Sequence, residues 1–110
     1  MKVAVIGSRS LNVSNIGEYL PLECSEIVSG GAKGVDTSAA DFALKHGIKL
    51  TVILPEYEKY GRGAPIVRNK QIIDHADTVI AFWDEKSKGT LSVIKHCEKI
   101  GKPCKVVLIK

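Results

Sequence analysis

The residues best suited to chemistry follow a short apolar run, Glu26-Ile27-Val28, and form the segment Ser29-Gly30-Gly31-Ala32-Lys33-Gly34-Val35-Asp36. Glycines at the end of a strand let the backbone turn with positive φ and leave no Cβ in the way of a ligand. An amphipathic segment starts at Asp36, and a helix N-terminus offers unpaired N–H groups and a positive dipole end. The turn is therefore suited to a phosphate or another anion. A purely structural turn with Asp36 as N-cap is the alternative that stays open.

Two other turns carry small, hydroxyl-bearing or cationic residues. One is Gly7-Ser8-Arg9-Ser10, directly after the first apolar run, and the other extends from Trp83 to Thr90. In a doubly wound parallel sheet, ligands bind in the crevice beyond the carboxyl ends of the strands. Because each of the three turns follows a predicted strand, we expect them to converge on one such crevice.

The hydrophobic pattern alternates between strand and helix along the chain. The predicted helices are Asn15–Leu20, which is short, Asp36–His46, Pro65–His75 and Thr90–Ile100. The predicted strands are apolar throughout or nearly so and rich in β-branched residues, as parallel strands covered on both faces are: Lys2–Ile6, Glu26–Val28, Leu50–Leu54, Thr78–Phe82 and Cys104–Ile109. This alternation predicts an α/β fold, a Rossmann-like doubly wound parallel sheet in the order 3-2-1-4-5 with helices on both faces.

Composition restricts the class of protein. A chain of 110 residues with 45% hydrophobic residues is expected to form one globular domain, residues 1–110. The apolar runs are too short for a membrane span or a secretory leader, which favours a cytoplasmic location. Three cysteines and three histidines without metal-ligand spacing predict no metal site, and no cofactor is expected. The net charge of +4 suits an anionic ligand, although the lysines are scattered.

The three turns together resemble the SLOG superfamily, the Rossmann-like group that joins the DNA-processing protein DprA with the LOG-type phosphoribohydrolases. The YspA-like (cpYpsA-related) branch is the most similar. The residues that carry the resemblance extend almost from end to end: Gly7-Ser8-Arg9, Ser29 to Asp36, Arg68-Asn69, Ala76-Asp77, Ile80 to Asp84, Ser87 to Thr90 and Gly101-Lys102-Pro103. The resemblance implies a compact domain that binds a nucleotide or a nucleotide-derived ligand.

Enzymes of the LOG type cleave nucleoside monophosphates and carry an arginine on the third helix and a glutamate three residues after a Gly-Thr pair. Arg68 stands at the first position, but the second is occupied by Val93. Valine can serve neither as an acid nor as a base. The resemblance therefore implies binding rather than this cleavage, and whether the chain is an enzyme stays open.

The candidate ligand-binding residues come from the three turns and from the third helix. A guanidinium such as that of Arg9 can form two parallel hydrogen bonds to a phosphate, and the resemblance adds Arg68 and Asn69. Trp83 could stack on a base, although a half-buried position at the end of a strand is the alternative. The full candidate set is Gly7, Ser8, Arg9, Ser29, Gly30, Gly31, Lys33, Gly34, Asp36, Arg68, Asn69, Trp83, Ser87, Gly89 and Thr90.

Three functions stay open at this point. The first is binding of a nucleotide-derived phosphate ligand, as a sensor or carrier. The second is an N-glycoside hydrolase acting on a nucleotide, with Arg68 on the phosphate and Asp84 or Asp36 as the acid. The third is single-stranded nucleic-acid binding by analogy with DprA. It has less support, because such grooves use several aromatic side chains and the chain has six aromatic residues in all.

Two further expectations concern assembly and motion. The third helix carries Ile66, Val67, Ile72 and Ile73, which are spread around its axis, and we expect part of that surface to need a partner. A homodimer through this helix is predicted, with Arg68 near the interface. The Pro55–Gly63 connection, which contains Tyr57 and Tyr60, is predicted to form a mobile flap over the site.

Overall fold

Five strands form one parallel sheet in a computed structural model of the chain, which describes residues 1–109. The sheet order is β3-β2-β1-β4-β5, as the alternating pattern predicted. Val3 stands at its centre, opposite Ile27 on one side and Thr78 on the other. The strands are β1 (Lys2–Gly7), β2 (Glu26–Ser29), β3 (Lys49–Val52), β4 (Thr78–Trp83) and β5 (Cys104–Leu108).

Four α-helices connect the strands: α1 (Val35–His46), α2 (Tyr57–Tyr60), α3 (Ala64–His75) and α4 (Lys88–Ile100). Three of them correspond to predicted helices. The predicted Asn15–Leu20 helix is only a 3-10 turn, Ile16–Glu18, a form that is frequent in short connectors. None of the helices within residues 1–109 combines the length and the apolar character needed to cross a bilayer.

Alternating side chains of β1 supply two separate cores. Val3 and Val5 point to one face of the sheet and pack with α1, while Ala4 and Ile6 belong to the cluster on the other face, with α3 and α4. The period of two in a strand sends neighbouring side chains to opposite faces. The apolar runs that predicted buried parallel strands are therefore explained by helices on both sides of β1.

The third helix turns two of its four apolar side chains inward. Ile72 and Ile73 are buried in the second core cluster, whereas Ile66 is 56% exposed. The four side chains are thus spread around the helix axis, as expected, while the need for a partner stays a prediction. A partner surface on α3 would depend mainly on Ile66 and half-buried Val67.

The Pro55–Gly63 connection has its own local structure, since it contains α2 and a 3-10 turn, Gly61–Gly63. Tyr57 is 56% exposed and Tyr60 is 37% exposed. Motion of this segment over the site stays a prediction.

Candidate functional site

A cavity of about 520 Å³ lies at the carboxyl ends of the strands, where β1 and β4 are neighbours and the chain order of the sheet reverses. This is the switch point at which doubly wound sheets bind ligands. Three cationic and two acidic side chains are among its lining residues: Ile6, Gly7, Ser8, Arg9, Ser10, Gly30, Ala32, Asp36, Pro65, Arg68, Asn69, Ile72, Asp84, Lys86, Ser87, Gly89 and Thr90.

The turn after β1 brings a buried hydroxyl to the cavity. Ser8 is 4% exposed, and its Oγ has no hydrogen-bond partner among residues 1–109. The Asp84 carboxylate is close enough to this hydroxyl to contribute to its own lowered pKa, but the two groups do not meet the geometry of a hydrogen bond. Because buried polar groups in proteins are almost always paired, an unpaired one lining a cavity needs an explanation. A ligand atom in the cavity would provide one.

Gly34 joins the glycine turn to the turn after β1. Its φ is +76°, and a Cβ at this position would lie 2.5 Å from the Arg9 carbonyl oxygen and 2.6 Å from that of Ser8. The Val35 N–H also donates to the Ser8 carbonyl, at 3.5 Å. Gly34 thus serves the packing of one turn on the other and does not line the cavity.

The Asp36 carboxylate already occupies part of the anion site that the glycine turn suggested. Its Oδ2 accepts a hydrogen bond from the Ala32 N–H at 3.0 Å, and the side chain is buried. Burial raises the pKa of this carboxyl group, against the opposing effects of the Ala32 N–H and of nearby Arg68. Asp36 is not the N-cap of α1, a position that Gly34 takes. An anion held by the N-terminus of α1 would therefore have to compete with a carboxylate of the protein.

Arg68 reaches the cavity from α3, and its side chain is held in place. Its Nη1 donates to the Gly30 carbonyl at 2.7 Å, and its Nε donates to Asn69 Oδ1 at 2.9 Å. A Cβ at position 30 would lie 2.5 Å from Nη1, so this approach requires glycine. The arginine is only 8% exposed. A guanidinium has five N–H donors, and two bonds leave others available to a ligand.

The loop between β4 and α4 is ordered by its own polar side chains. Asp84 Oδ1 accepts from the N–H groups of Ser87 and Lys86, at 2.8 and 2.9 Å, and these bonds lower the pKa of the Asp84 carboxyl group. Ser87 is the N-cap of α4, since its Oγ accepts from the Thr90 N–H at 3.2 Å. These three bonds are those of an Asx turn and a helix N-cap.

The first N–H groups of α4 remain available. The helix begins at Lys88, and within residues 1–109 no acceptor is assigned to the N–H groups of Lys88 and Gly89. Thr90 is buried beneath them, with its hydroxyl 3.1 Å from Ser87 Oγ. This N-terminus lines the same cavity as Ser8, and it is the part of the cavity best suited to an anion.

Five of the predicted residues lie outside the cavity: Ser29, Gly31, Lys33, Gly34 and Trp83. Trp83 is half-buried at the end of β4, and its indole N–H donates to the Ser87 carbonyl at 3.0 Å. Ser29 Oγ lies 3.5 Å from the Gly31 N–H within the turn itself. Gly31 and Lys33 line a neighbouring depression. The binding role assigned to all fifteen residues stays a prediction.

The predicted ligand-binding set left out several lining residues. Lys86 and Asp84, the latter considered only as a possible acid, matter most for the charge of the cavity. Both lie inside the Trp83–Thr90 turn, so their place in that loop was an available signal. Ile6, Ile72 and Pro65 contribute apolar wall, which no motif marks. Val93, in contrast, is 2% exposed and packs in the second core cluster rather than at the cavity.

Another depression, of about 830 Å³, lies between α1 and residues 12–18. It is larger than the first cavity, but it contains none of the predicted site residues and lies away from the carboxyl ends of β1 and β4. No group of three or more His, Cys, Asp or Glu side chains in the described part of the chain could hold a metal ion.

No protein-family model matches the chain, and no curated protein sequence matches it either. Solved structures do show the same fold. The chain is similar to DNA processing protein A (DprA) from Streptococcus pneumoniae, with a TM-score of 0.74 and 24% identity over 99% of this chain and 50% of that one.

It is also similar to DNA processing protein A from Helicobacter pylori, a structure described for its single-stranded DNA binding mode. Here the TM-score is 0.72 and the identity 25%, over 100% of this chain and 66% of that one. The chain thus spans one half to two thirds of the length of these structures. Its structural neighbours are DprA proteins of the SLOG superfamily, while the YspA-like branch stays a prediction.

Proposed function

We propose that the chain binds a nucleotide or a nucleotide-derived phosphate ligand in the cavity at the carboxyl ends of β1 and β4. The observation that carries the proposal is the unpaired, buried hydroxyl of Ser8 in a cavity that the N-terminus of α4 also lines, through Gly89 and Thr90. A hydroxyl and a helix N-terminus are the donors that phosphate oxygens use in proteins. The phosphate would lie here, with Arg68 as a further donor.

The rest of the cavity suits a nucleoside. Its volume of about 520 Å³ falls within the range of small-molecule sites, roughly 300 to 1,000 Å³. Asp36 offers a carboxylate acceptor for a sugar hydroxyl or a base N–H group, and Ile6 and Ile72 offer apolar wall. A chain that binds this ligand without converting it would act as a sensor or carrier, and we place this role in the cytoplasm.

Hydrolysis of an N-glycosidic bond is a second candidate, and one observation favours it. Asp36 lines the cavity and burial raises the pKa of its carboxyl group, a property that general acids share. Asp84 is less suited to this role, because its hydrogen bonds lower its pKa and keep it ionised. If the chain is a hydrolase, it should release free base from a nucleotide, and Asp36→Asn should abolish that release. If the chain only binds its ligand, neither the unaltered chain nor the variant should release base.

Binding of single-stranded nucleic acid is favoured by the structural neighbours, one of which is described for its single-stranded DNA binding mode. The net charge of +4 is compatible with it. Trp83, however, is held by its bond to Ser87, and it does not line the cavity. Stacking on this side chain therefore does not support the strand-binding function.

Calorimetry with thymidine 5′-phosphate, thymidine and a single-stranded oligonucleotide tests the proposal. We expect saturable binding of the phosphorylated ligand and at least about tenfold weaker binding of thymidine, since charge-assisted hydrogen bonds contribute most of the affinity. Substitution Arg68→Ala should weaken binding, whereas Arg62→Ala, at an exposed arginine outside the cavity, should not. Equal affinity for thymidine and its phosphate would refute the proposal.

A homodimer through α3 stays part of the proposal, with Ile66 as the main exposed apolar side chain. Light scattering at high micromolar concentration should then report about twice the chain mass of 11.9 kDa. A monomer at that concentration would refute the dimer but not the ligand site.

A further inference from the structure

A second depression continues the cavity along the edge of the sheet, toward β3. Its volume is about 310 Å³, and it shares Arg9, Gly30 and Ala32 with the first cavity. The remaining lining residues are Gly31, Lys33, Leu54 and Pro55. In the sheet order, the two depressions follow one another over the ends of β4, β1, β2 and β3. They form one extended site with Arg9 between its two parts.

The second depression has an apolar floor and a cationic rim. Leu54, the second residue after β3, is 62% exposed beside Pro55, and Lys33 is exposed on the rim. Gly31, with φ of +70°, keeps this floor open. A Cβ there would lie 2.9 Å from both Leu54 Cδ2 and Val52 Cγ1. A flat apolar group with a neighbouring negative charge would complement this surface.

We infer that the second depression takes the base of a second nucleoside unit, so that the ligand consists of two nucleoside units joined through phosphate. This inference rests on the proposed function, which puts the first unit in the larger cavity. Arg9 is shared by both depressions and is exposed, so its guanidinium can reach the linking phosphate. Leu54 and Pro55 would pack on the base, and Lys33 would lie near its sugar-phosphate.

Matched ligands test the inference on the intact chain. Thymidine 5′-phosphate is compared by calorimetry with the phosphodiester-linked dinucleotide pdTpdT and with the pyrophosphate-linked dithymidine. We expect at least one dinucleotide to bind about tenfold tighter than the mononucleotide, the gain that burial of one base face can supply. The dinucleotide that binds more tightly identifies the kind of ligand. A phosphodiester link is found in a nucleic-acid strand, and a pyrophosphate link is found in a free dinucleotide.

An abasic control separates the contribution of the second base to affinity from that of the added phosphate charge. The analogue of pdTpdT that lacks the second base carries the same phosphates, so it should bind about as weakly as the mononucleotide. If the abasic analogue binds as tightly as pdTpdT, the gain is electrostatic and the inference is overturned.

Two matched variants locate the second base. Leu54→Asp should remove the dinucleotide gain and leave the affinity for thymidine 5′-phosphate within about twofold of the original. Leu44→Asp changes a 77% exposed leucine on α1, outside both depressions, and should change neither affinity. The inference is wrong if Leu54→Asp lowers the mass measured by light scattering and the dinucleotide still binds more tightly than thymidine 5′-phosphate. The second depression would then be a contact between two copies of the chain.

The failures of the two proposals are distinguishable. If thymidine 5′-phosphate binds and neither dinucleotide binds more tightly, only the second subsite is refuted. If neither the mononucleotide nor any dinucleotide binds, the proposed function and the inference built on it fall together.

Discussion

Arg68 Nη1 donates a hydrogen bond of 2.7 Å to the carbonyl oxygen of Gly30, across 38 positions of the chain. The bond joins α3 to the turn after β2, and it orients the guanidinium toward the cavity. Gly30 makes it possible, because a side chain at this position would lie where the guanidinium is. One backbone position thus determines where the principal buried cation of the site lies.

Substitution Gly30→Ala should displace the Arg68 guanidinium with little effect on folding, because the group that must move is the end of a flexible side chain. We expect affinity for thymidine 5′-phosphate to fall about tenfold, while the free energy of unfolding changes by less than about 2 kcal/mol. Calorimetry and urea denaturation measure the two effects. Gly63→Ala is the matched control, since a Cβ there meets no atom within 4 Å. Unchanged affinity in Gly30→Ala would show that Arg68 does not contact the ligand.

Substitution Ser8→Ala should separate stability from binding. Because the Ser8 hydroxyl is buried without a partner, its removal should leave the free energy of unfolding unchanged or raise it by up to about 1 kcal/mol. Affinity for thymidine 5′-phosphate should fall about fivefold, the loss expected for one hydrogen bond. Ser92→Ala, at an exposed position of α4, should alter neither quantity. A clear loss of stability in Ser8→Ala would mean that the hydroxyl has a structural partner.

No LOG-type cleavage of nucleoside monophosphates is expected, and Val93→Glu should not introduce it. Val93 is 2% exposed in the core cluster that contains Ile72 and Cys97, so a glutamate there would be an unpaired buried charge. The variant should lose about 3–5 kcal/mol of stability and gain no activity. Chromatography of the free base measures turnover. Release of base by the unaltered chain at about 1 s⁻¹ or faster would show that another carboxylate performs the chemistry.

Acid should destabilise the fold through Glu26, at the end of the sheet away from the cavity. Its Oε2 lies 2.8 Å from His75 Nε2 and accepts from the Thr51 hydroxyl at 2.9 Å. The His75 bond, with those of Thr51 and Lys49, lowers the pKa of Glu26 from 4.5 to about 2. Because the folded-state pKa is the lower one, this stability is present above pH 4.5 and is lost as the pH falls toward 2.

Urea denaturation at a series of pH values measures this effect, which should reach at most about 3 kcal/mol. Glu26→Gln should flatten the pH dependence between 4.5 and 2 and lower stability at neutral pH. Glu98→Gln, at an exposed glutamate of α4, is the control and should leave the curve unchanged. An unaltered pH dependence in Glu26→Gln would contradict the assignment.

The sheet order was predictable because apolar runs of strand length alternate with helical segments, and few topologies satisfy that alternation. The convergence of the turns followed from the same topology. The occupation of the glycine turn by Asp36 was not predictable, because it depends on how a carboxylate two residues into α1 folds back on Ala32. Nor could local pattern show that Arg68 would be buried against Gly30, a contact between distant segments that only packing of α3 determines.

Trp83 illustrates the limit of reasoning from residue type. An aromatic residue at the end of a strand suits both base stacking and core packing, and the pattern does not distinguish them. The indole N–H bond to the Ser87 carbonyl gives Trp83 a structural partner, while its stacking on a base stays a prediction. The apolar wall of the cavity, Ile6 and Ile72, was hidden for a related reason, because both positions belong equally to a buried core pattern.

The central claim is that a ligand phosphate lies at the N-terminus of α4, and amide chemical shifts test it most directly. In a titration with thymidine 5′-phosphate, we predict saturable shifts of the Lys88 and Gly89 amides and of Ser8, with no comparable shifts for thymidine. Shifts confined to the depression between α1 and residues 12–18, around Val13 and His46, would contradict the claim. So would the absence of any shift at Lys88 and Gly89 when calorimetry shows that the phosphorylated ligand is bound.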